Sequence, residues 1–308
     1  MLGLGKKLIK LVTHDGSFHA DDIFACATLI MVLEKKGQAY EVIRTRDEKI
    51  IEKADYVFDV GGVYDEANNR FDHHQIGGAG KRTGGGGIEY ASFGLVWKKF
   101  GLEISQYQKV TDLLEKKLVE PVDAWDNGFD LVENKFKDVS PYSIQHIFSS
   151  LEPTWREENK DIDKIFIKCV SLAKEILTRE VTQMKDTILA EEAVVKAYQH
   201  ASDKKIIILD KHYPSQYILN TFPEPLFTVY PRATNNYWGV KAVRDDPKTF
   251  KNRKDLPASW AGLQNEELAK ISGVSDAVFC HKGLFMAVAK SKEGAVKLAQ
   301  IALLEPSN

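Results

Sequence analysis

The chain has 308 residues, with 44 Asp and Glu against 42 Lys and Arg and a net charge of −2; that is room for two domains of about 100–200 residues each, and it excludes a uniformly basic surface that coats nucleic acid. Three cysteines, Cys26, Cys169 and Cys280, lie far apart and form no CxxC pair, which excludes a disulfide framework and a thiolate zinc site and fits a reducing, cytoplasmic setting. No apolar run reaches the roughly 18 residues of a membrane span, and the opening "MLGLGKKLIKLVTHDG" reads as the approach to a strand, without the cleavage site of a signal peptide.

In chain order, "KLIKLVTH" (7–14) is a compact apolar run and predicts a first strand. "ADDIFACATLIMVLEKKG" follows as a helix, with Asp21 or its neighbours as cap and Gly37 as stop. "YEVIRT" (40–45) predicts a second strand, "DEKIIEKA" a short helix, "DYVFDVGG" (55–62) a third strand and "NRFDHH" (69–74) a fourth. Alternating strands and helices imply an α/β fold, a doubly wound and mostly parallel sheet in the N-terminal domain. Residues 75–88, "QIGGAGKRTGGGGI", form a glycine-rich loop. "EYASFGLVWKKFG" and "VTDLLEKKLVEPVDAWDNGFD" then predict helices, and 160–200 has long helical periodicity. From "DKKIIILD" (203–210) the pattern changes to short strands and turns, "YPSQYIL", "PLFTVYPR" and "NYWGVKAV". A helix at "NEELAKIS", the stretch "AVFCHKGLFMAVA" and a final helix, "KEGAVKLAQIALL", complete the chain. The expected division is a domain at 1–150, a helical linker at 151–202 and a smaller α/β domain at 203–308.

Ligands in open parallel sheets bind at the carboxyl ends of the strands. His14, Asp59 and the run Asp72-His73-His74 all fall at predicted strand ends. In "THDGSFHADD", His19 and Asp21 follow His14 across a turn; the plain alternative is an N-cap beside surface histidines. Imidazoles bind transition metals, and carboxylates bridge hard or borderline dications. These groups exceed what one zinc centre needs and suit two neighbouring ions. In "VEPVDAWDNGFD", Asp123, Asp126 and Asp130 lie close together, with Gly128 allowing a tight turn. This is either a solvated acidic turn or the source of a closing carboxylate.

Taken together, "THDGSFHADD", "FDVGG", "FDHHQ", "ASFGLVW", "VDAWDNG", "WAGL" and "FCHKGLF" resemble the DHH phosphoesterase superfamily and, more closely, its melanocyte-proliferating-gene family. The resemblance runs from residue 11 to about 286. It implies a catalytic domain, a smaller substrate domain and 3′-to-5′ exonuclease action on RNA. It also implies site roles. Asp59 would bridge two metals; His14 and His19 would hold one; Asp21 and His73, closed by Asp126 or Asp123, would hold the other. Asp72 would orient the histidines and His74 would touch the substrate phosphate. One departure is that the superfamily's His-x-x-x-Asp-x-Asp becomes His14, four residues, then His19-x-Asp21, a substitution that the narrower family shares. The implied cofactors are two divalent ions, manganese first, with magnesium, cobalt or zinc as substitutes.

The glycine loop is not a Walker motif, since Gln75 stands at the first glycine position and Arg82 follows Lys81. It reads as a mobile surface loop or as a lid whose Lys81 and Arg82 meet phosphates. By the same resemblance Arg232, Arg244, Arg253, Lys254, Trp260 and His281 would hold a nucleic-acid backbone or terminal base; otherwise Trp260 is core and the arginines are solvated. The leading reading is a two-metal phosphohydrolase acting on single-stranded RNA or short oligonucleotides, away from membranes, with a homodimer left open. The alternatives are hydrolysis of pyrophosphate, a cyclic dinucleotide or a phosphoadenosine compound, and a non-catalytic, metal-dependent nucleotide-binding protein.

Overall fold

The structure, a computed structural model, describes residues 7–83, 87–158 and 160–305. The chain divides into two compact units, Met1–Lys185 and Asp186–Asn308. The first is an α/β unit around a five-stranded sheet. Strand β1 (Ile9–Thr13) leads into helix α1 (Ala20–Lys35), followed by β2 (Tyr40–Arg44), the short α2 (Glu48–Glu52) and β3 (Tyr56–Phe58). Next come β4 (Tyr64–Asp65), β5 (Arg70–Phe71) and α3 (Ser92–Ser105). The sheet order is β2-β1-β3-β5-β4, with β2, β1, β3 and β5 parallel and β4 antiparallel to β5. Both faces are covered, which is why β1 is apolar without strict alternation. Val12 joins Ala54, Val57 and Val60 against Ile43, Ile50 and Ile51, the last two from α2. Helix α1 packs on β1 and β3, and α3 packs on β5 and against α1.

Register is what positions the site. Val12 pairs with Val57, and Phe58 pairs with Phe71. His14, Asp59 and Asp72 therefore leave three adjacent parallel strands at one level. The Asp59 N–H donates to the Phe71 carbonyl at 3.3 Å, extending the ladder to that level. Helix α1 is capped by its own Asp22, whose Oδ1 accepts the His19 N–H at 2.8 Å. The Gln145 side chain accepts the Ala20 N–H at 2.6 Å. Gly37, with φ of +62°, ends the helix in the left-handed region.

Helices α4 (Gln108–Leu114) and α5 (Glu120–Asp126) are joined by a π-helical turn, Glu115–Val119, into one run that stops before Gly128 (φ +75°). Helix α6 (Ile144–Ser149) follows. Helix α7 (Ile162–His200) is a single element of 39 residues, and the boundary between the units falls inside it.

The second unit holds another five-stranded sheet, built from β6 (Ile206–Ile208), β7 (Phe227–Pro231), β8 (Trp238–Ala242), β9 (Ala277–Cys280) and β10 (Met286–Ala289) in the order β6-β7-β8-β10-β9. Only β6 and β7 are parallel. Helices α8 (Gln216–Leu219), α9 (Asn265–Ser272) and α10 (Lys292–Leu304) complete it. Two expectations are corrected. "YPSQYIL" contains the helical turn α8, because Ile218 and Leu219 both bury into the cluster with Val194 and Tyr230. A two-residue strand at Tyr64–Asp65, too short to show a repeating pattern, forms the antiparallel sheet edge. No helix among the described residues is long and apolar enough to cross a membrane.

Candidate metal centre

Asp59 sits where two groups of candidate donors meet. Its Oδ2 is 3.1 Å from His14 Nε2, and its Oδ1 is 3.3 Å from His73 Nε2. One carboxylate thus divides its oxygens between two imidazoles. The residue turns sharply out of β3 with φ of +56°, ahead of Gly61 and Gly62 at +97° and +67°. That conformation costs an L-residue about 1–2 kcal/mol, and such strain concentrates at sites where the surroundings enforce it.

Three groups of donors converge here: His14, Asp22 and Asp59; Asp59, His73 and His74; and Asp21, His73 and Asp126. Within each group the ligand atoms lie within 4.8 Å of one another. His14 Nε2 is 3.4 Å from Asp22 Oδ2, and His73 Nε2 is 3.1 Å from Asp126 Oδ2. His19 Nδ1 is 3.4 Å from Asp126 Oδ1. Two ligands at about 2.0–2.2 Å from a shared cation, roughly 90–110° apart, are about 3.0–3.5 Å from each other. The observed separations match the edges of such coordination shells. Asp22 Oδ2 and His73 Nε2 are also buried without a well-aligned hydrogen bond, although an imidazole approaches the former and carboxylates the latter. Orphaned buried atoms of this kind call for a partner such as a bound ion. The donor set therefore fits divalent cations.

Electrostatics point the same way. Burial pushes Asp21 and Asp22 well above the usual carboxylate range, reinforced by the charges of Asp126 and Asp59 respectively. His73 is pushed down by burial but is carried up to about 11 by Asp126, Asp59 and Asp21. Burial raises Asp126 as well, yet His19 and His73 outweigh it and leave the carboxyl below its ordinary value. Four carboxylates packed this closely are costly unless positive charge joins them.

Supporting contacts fix these candidate donors. Asp72 Oδ1 accepts the His73 and His74 backbone N–H groups at 2.8 and 3.2 Å and contacts His74 Nδ1 at 2.7 Å, while Oδ2 accepts the Gly62 N–H. The His74 side chain is 59% exposed, at the mouth. Asp21 accepts the Ser92 and Phe93 N–H groups, at 3.0 and 2.6 Å, and so caps α3 from α1. The Gly16 N–H meets His14 Nδ1 at 3.1 Å, which sets the ring so that Nε2 faces the carboxylates.

The sequence reading is corrected at several positions. His14 groups with Asp22 and Asp59, and His19 lies against Asp126 instead. Asp22 was not singled out, because of the two adjacent aspartates the resemblance gives a role to Asp21 alone. They differ by about 100° around the helix, so that Asp21 meets α3 and Asp22 meets His14. Asp123 is not among the grouped donors: its Oδ2 accepts from Arg82 at 2.6 Å and its Oδ1 from the Gly94 N–H at 3.0 Å. Arg82 is likewise buried, bonded also to Glu115 at 2.6 Å and to the Glu89 carbonyl, and so is not presented to a phosphate. Lys81 pairs with Glu89 at 3.0 Å, and residues 84–86 of the glycine loop lie outside the described residues. Asp130 is exposed and in none of the groups.

In the second unit Trp260 is 2% exposed, in the core with Leu268, Cys280 and Leu298, so it offers no face for a base. Arg253 donates to the carbonyls of Asn220, Phe222 and Pro225, and Lys254 to that of Glu305. Both tie backbone segments together. Arg244 donates to the Pro247 carbonyl and lies over the exposed Phe250 ring at 5.1 Å. His281 packs between Phe279 and Phe285, with Nδ1 accepting the Gly283 N–H at 2.9 Å. Arg232 is half-buried beside β7.

A family model, MYG1_exonuc, described as an uncharacterised protein family (UPF0160), matches residues 10–303. The chain is 31% identical over 318 residues to the MYG1 protein of Dictyostelium discoideum, spanning 94% of this chain and 95% of that one. It is 28% identical over 328 residues to the MYG1 exonuclease of Homo sapiens, spanning 97% and 86%. Among solved structures, RecJ in complex with Mn2+ from Thermus thermophilus aligns over 97% of this chain and 52% of that one, at 12% identity and a TM-score of 0.28, a likeness too loose to bear on the chemistry. The motifs between residue 11 and about 286, and a family match over residues 10–303, place the chain in the MYG1 (UPF0160) family.

Proposed function

We propose that the protein is a metal-dependent phosphodiester hydrolase that shortens single-stranded RNA or short oligonucleotides from the 3′ end. The observation that carries this reading is the division of the Asp59 carboxylate between two sets of imidazole and carboxylate donors. His14, Asp22 and Asp59 would hold one divalent cation; Asp59, His73 and Asp126, beside Asp21, would hold the second. Bound cations of this kind supply Lewis-acid charge and an activated water for attack at phosphorus. A set of imidazole and carboxylate donors suits Mn2+, with Mg2+, Co2+ or Zn2+ as substitutes. The exonuclease name of the human and bovine relatives supports a nucleic-acid substrate.

The chain's own groups do the rest. Asp72 holds His73 and His74 through three contacts to one oxygen. His74, exposed at the mouth and anchored through Nδ1, presents Nε2 to a phosphate oxygen. Asp21 ties α1 to the first turn of α3, whose Ser92 hydroxyl donates to Asp59 Oδ1 at 3.4 Å, so that α1 and Asp59 keep a fixed spacing. Three buried thiols suit a reducing, cytoplasmic setting.

The test is incubation of purified protein with Mn2+ and 5′-labelled oligoribonucleotides, pyrophosphate and cyclic dinucleotides. Stepwise loss of 3′ nucleotides is expected. Release of inorganic phosphate from pyrophosphate alone, or binding with no product, would overturn the assignment.

A further inference from the structure

A cavity of about 450 Å³ opens over the ligand groups, and one of its lining residues, Arg46, plays no part in holding them. Arg44 and Arg46 leave the end of β2 two residues apart and have different fates. The Arg44 side chain is buried, donates to the Gly16 carbonyl and to Asp163, and lies against the Phe18 and Phe166 rings. It locks the loop that carries His14. The Arg46 side chain is 66% exposed, and its partner is Asp15, 3.5 Å from Nε and itself exposed. An ion pair so open to solvent contributes little. No Nη contact of Arg46 to another described residue competes with that weak pair.

Its position is specific. A Cβ placed on Gly16 would stand 3.7 Å from Arg46 Nη2 and 3.3 Å from His14 Nδ1. The guanidinium and a candidate metal-binding imidazole therefore flank one small residue, and the missing side chain leaves room between them. Gly61 and Gly62 form part of the same cavity wall, and a Cβ added to Gly62 would have nothing within 4 Å. The carboxylates lining the cavity, Asp59 and Asp72, would repel an anionic substrate; Arg46 is the guanidinium that lines it.

We propose that Arg46 binds a phosphate oxygen of the substrate at the metal centre. Its Nη donors, without a partner among the described residues, match the spacing of two phosphate oxygens, which a lysine cannot reproduce. The residue strengthens its hold as negative charge builds on those oxygens during hydrolysis. This rests on the hydrolase reading above.

The experiment compares wild type, Arg46→Ala and Arg46→Lys, each loaded with Mn2+, on an oligoribonucleotide, with Mn2+ affinity and inorganic-phosphate binding measured in parallel by calorimetry. Arg46→Ala should keep wild-type Mn2+ affinity and melting temperature, lower kcat/KM by about 10²–10³-fold and weaken phosphate binding at least tenfold. Arg46→Lys should recover part of the loss. Unchanged kcat/KM and phosphate binding in Arg46→Ala, or loss of Mn2+ in its place, would overturn the proposal. Wild type that binds phosphate but cleaves nothing would sink the hydrolase reading alone; phosphate binding would still decide the role of Arg46.

Discussion

Asp59 belongs to two of the candidate donor groups and occupies a left-handed backbone position, so its substitutions separate conformation from chemistry. Asparagine tolerates φ near +56° better than most residues. Asp59→Asn should therefore keep the fold, lose at least a hundredfold in Mn2+ affinity and abolish turnover; circular dichroism and calorimetry on the same sample check both halves. His73 makes a second prediction, about pH. In the metal-free protein its pKa is raised to about 11, so its contribution to stability is complete below its ordinary value near 6.5 and is lost as pH climbs toward 11. Cation binding requires the neutral imidazole, so Mn2+ affinity should rise over that same window and proton release should accompany uptake. Calorimetry in buffers of different ionisation heat reads that release; uptake without it would remove His73 from the ligand set. The placement of His14, Asp59 and His73 just past strand ends was legible in the sequence, because apolar runs mark where strands stop. Asp22 was not, since its direction depends on the phase of α1 measured against the end of β1, and no local pattern records that phase.

At the level of elements, the glycine loop and the α4–α5 run are joined by a buried ion pair. Arg82 reaches Glu115, the first residue of the π-helical turn, and Asp123, in α5, each at 2.6 Å. Burial outweighs Arg82 at Asp123 and raises that carboxyl to about 7. Removing one member of such a pair strands the other, so Arg82→Ala should cost about 3–5 kcal/mol in chemical denaturation. A mere rise in KM at full stability would restore Arg82 to the substrate. Gly94 is bound to the same pair, because a Cβ there would lie 1.8 Å from Asp123 Oδ2. None of this could be read from "GKRTGGGG", because a loop has no period to say which of its cations turns inward. Trp260 shows the same limit in the second unit: a three-residue 3-10 turn, Ala258–Trp260, carries no pattern that distinguishes a core indole from an exposed one.

At the scale of the whole molecule, the two-unit α/β plan was the most legible feature, because apolar strands alternating with capped helices leave few parallel topologies to consider. The π-helical turn, the two-residue strand β4 and the turn α8 were not, being too short for a pattern to repeat within them. The level register of β1, β3 and β5 has a further consequence. Residues 14, 59 and 73 come together only when the sheet has assembled, so a denatured chain offers a dication no comparable seat. Mass action then makes the ion a folding ligand: at a hundred times its dissociation constant it should add about 2.7 kcal/mol. A melting temperature that climbs with Mn2+, falls back with chelator and stays flat in Asp59→Asn would show that the bound ion and the folded sheet depend on one another.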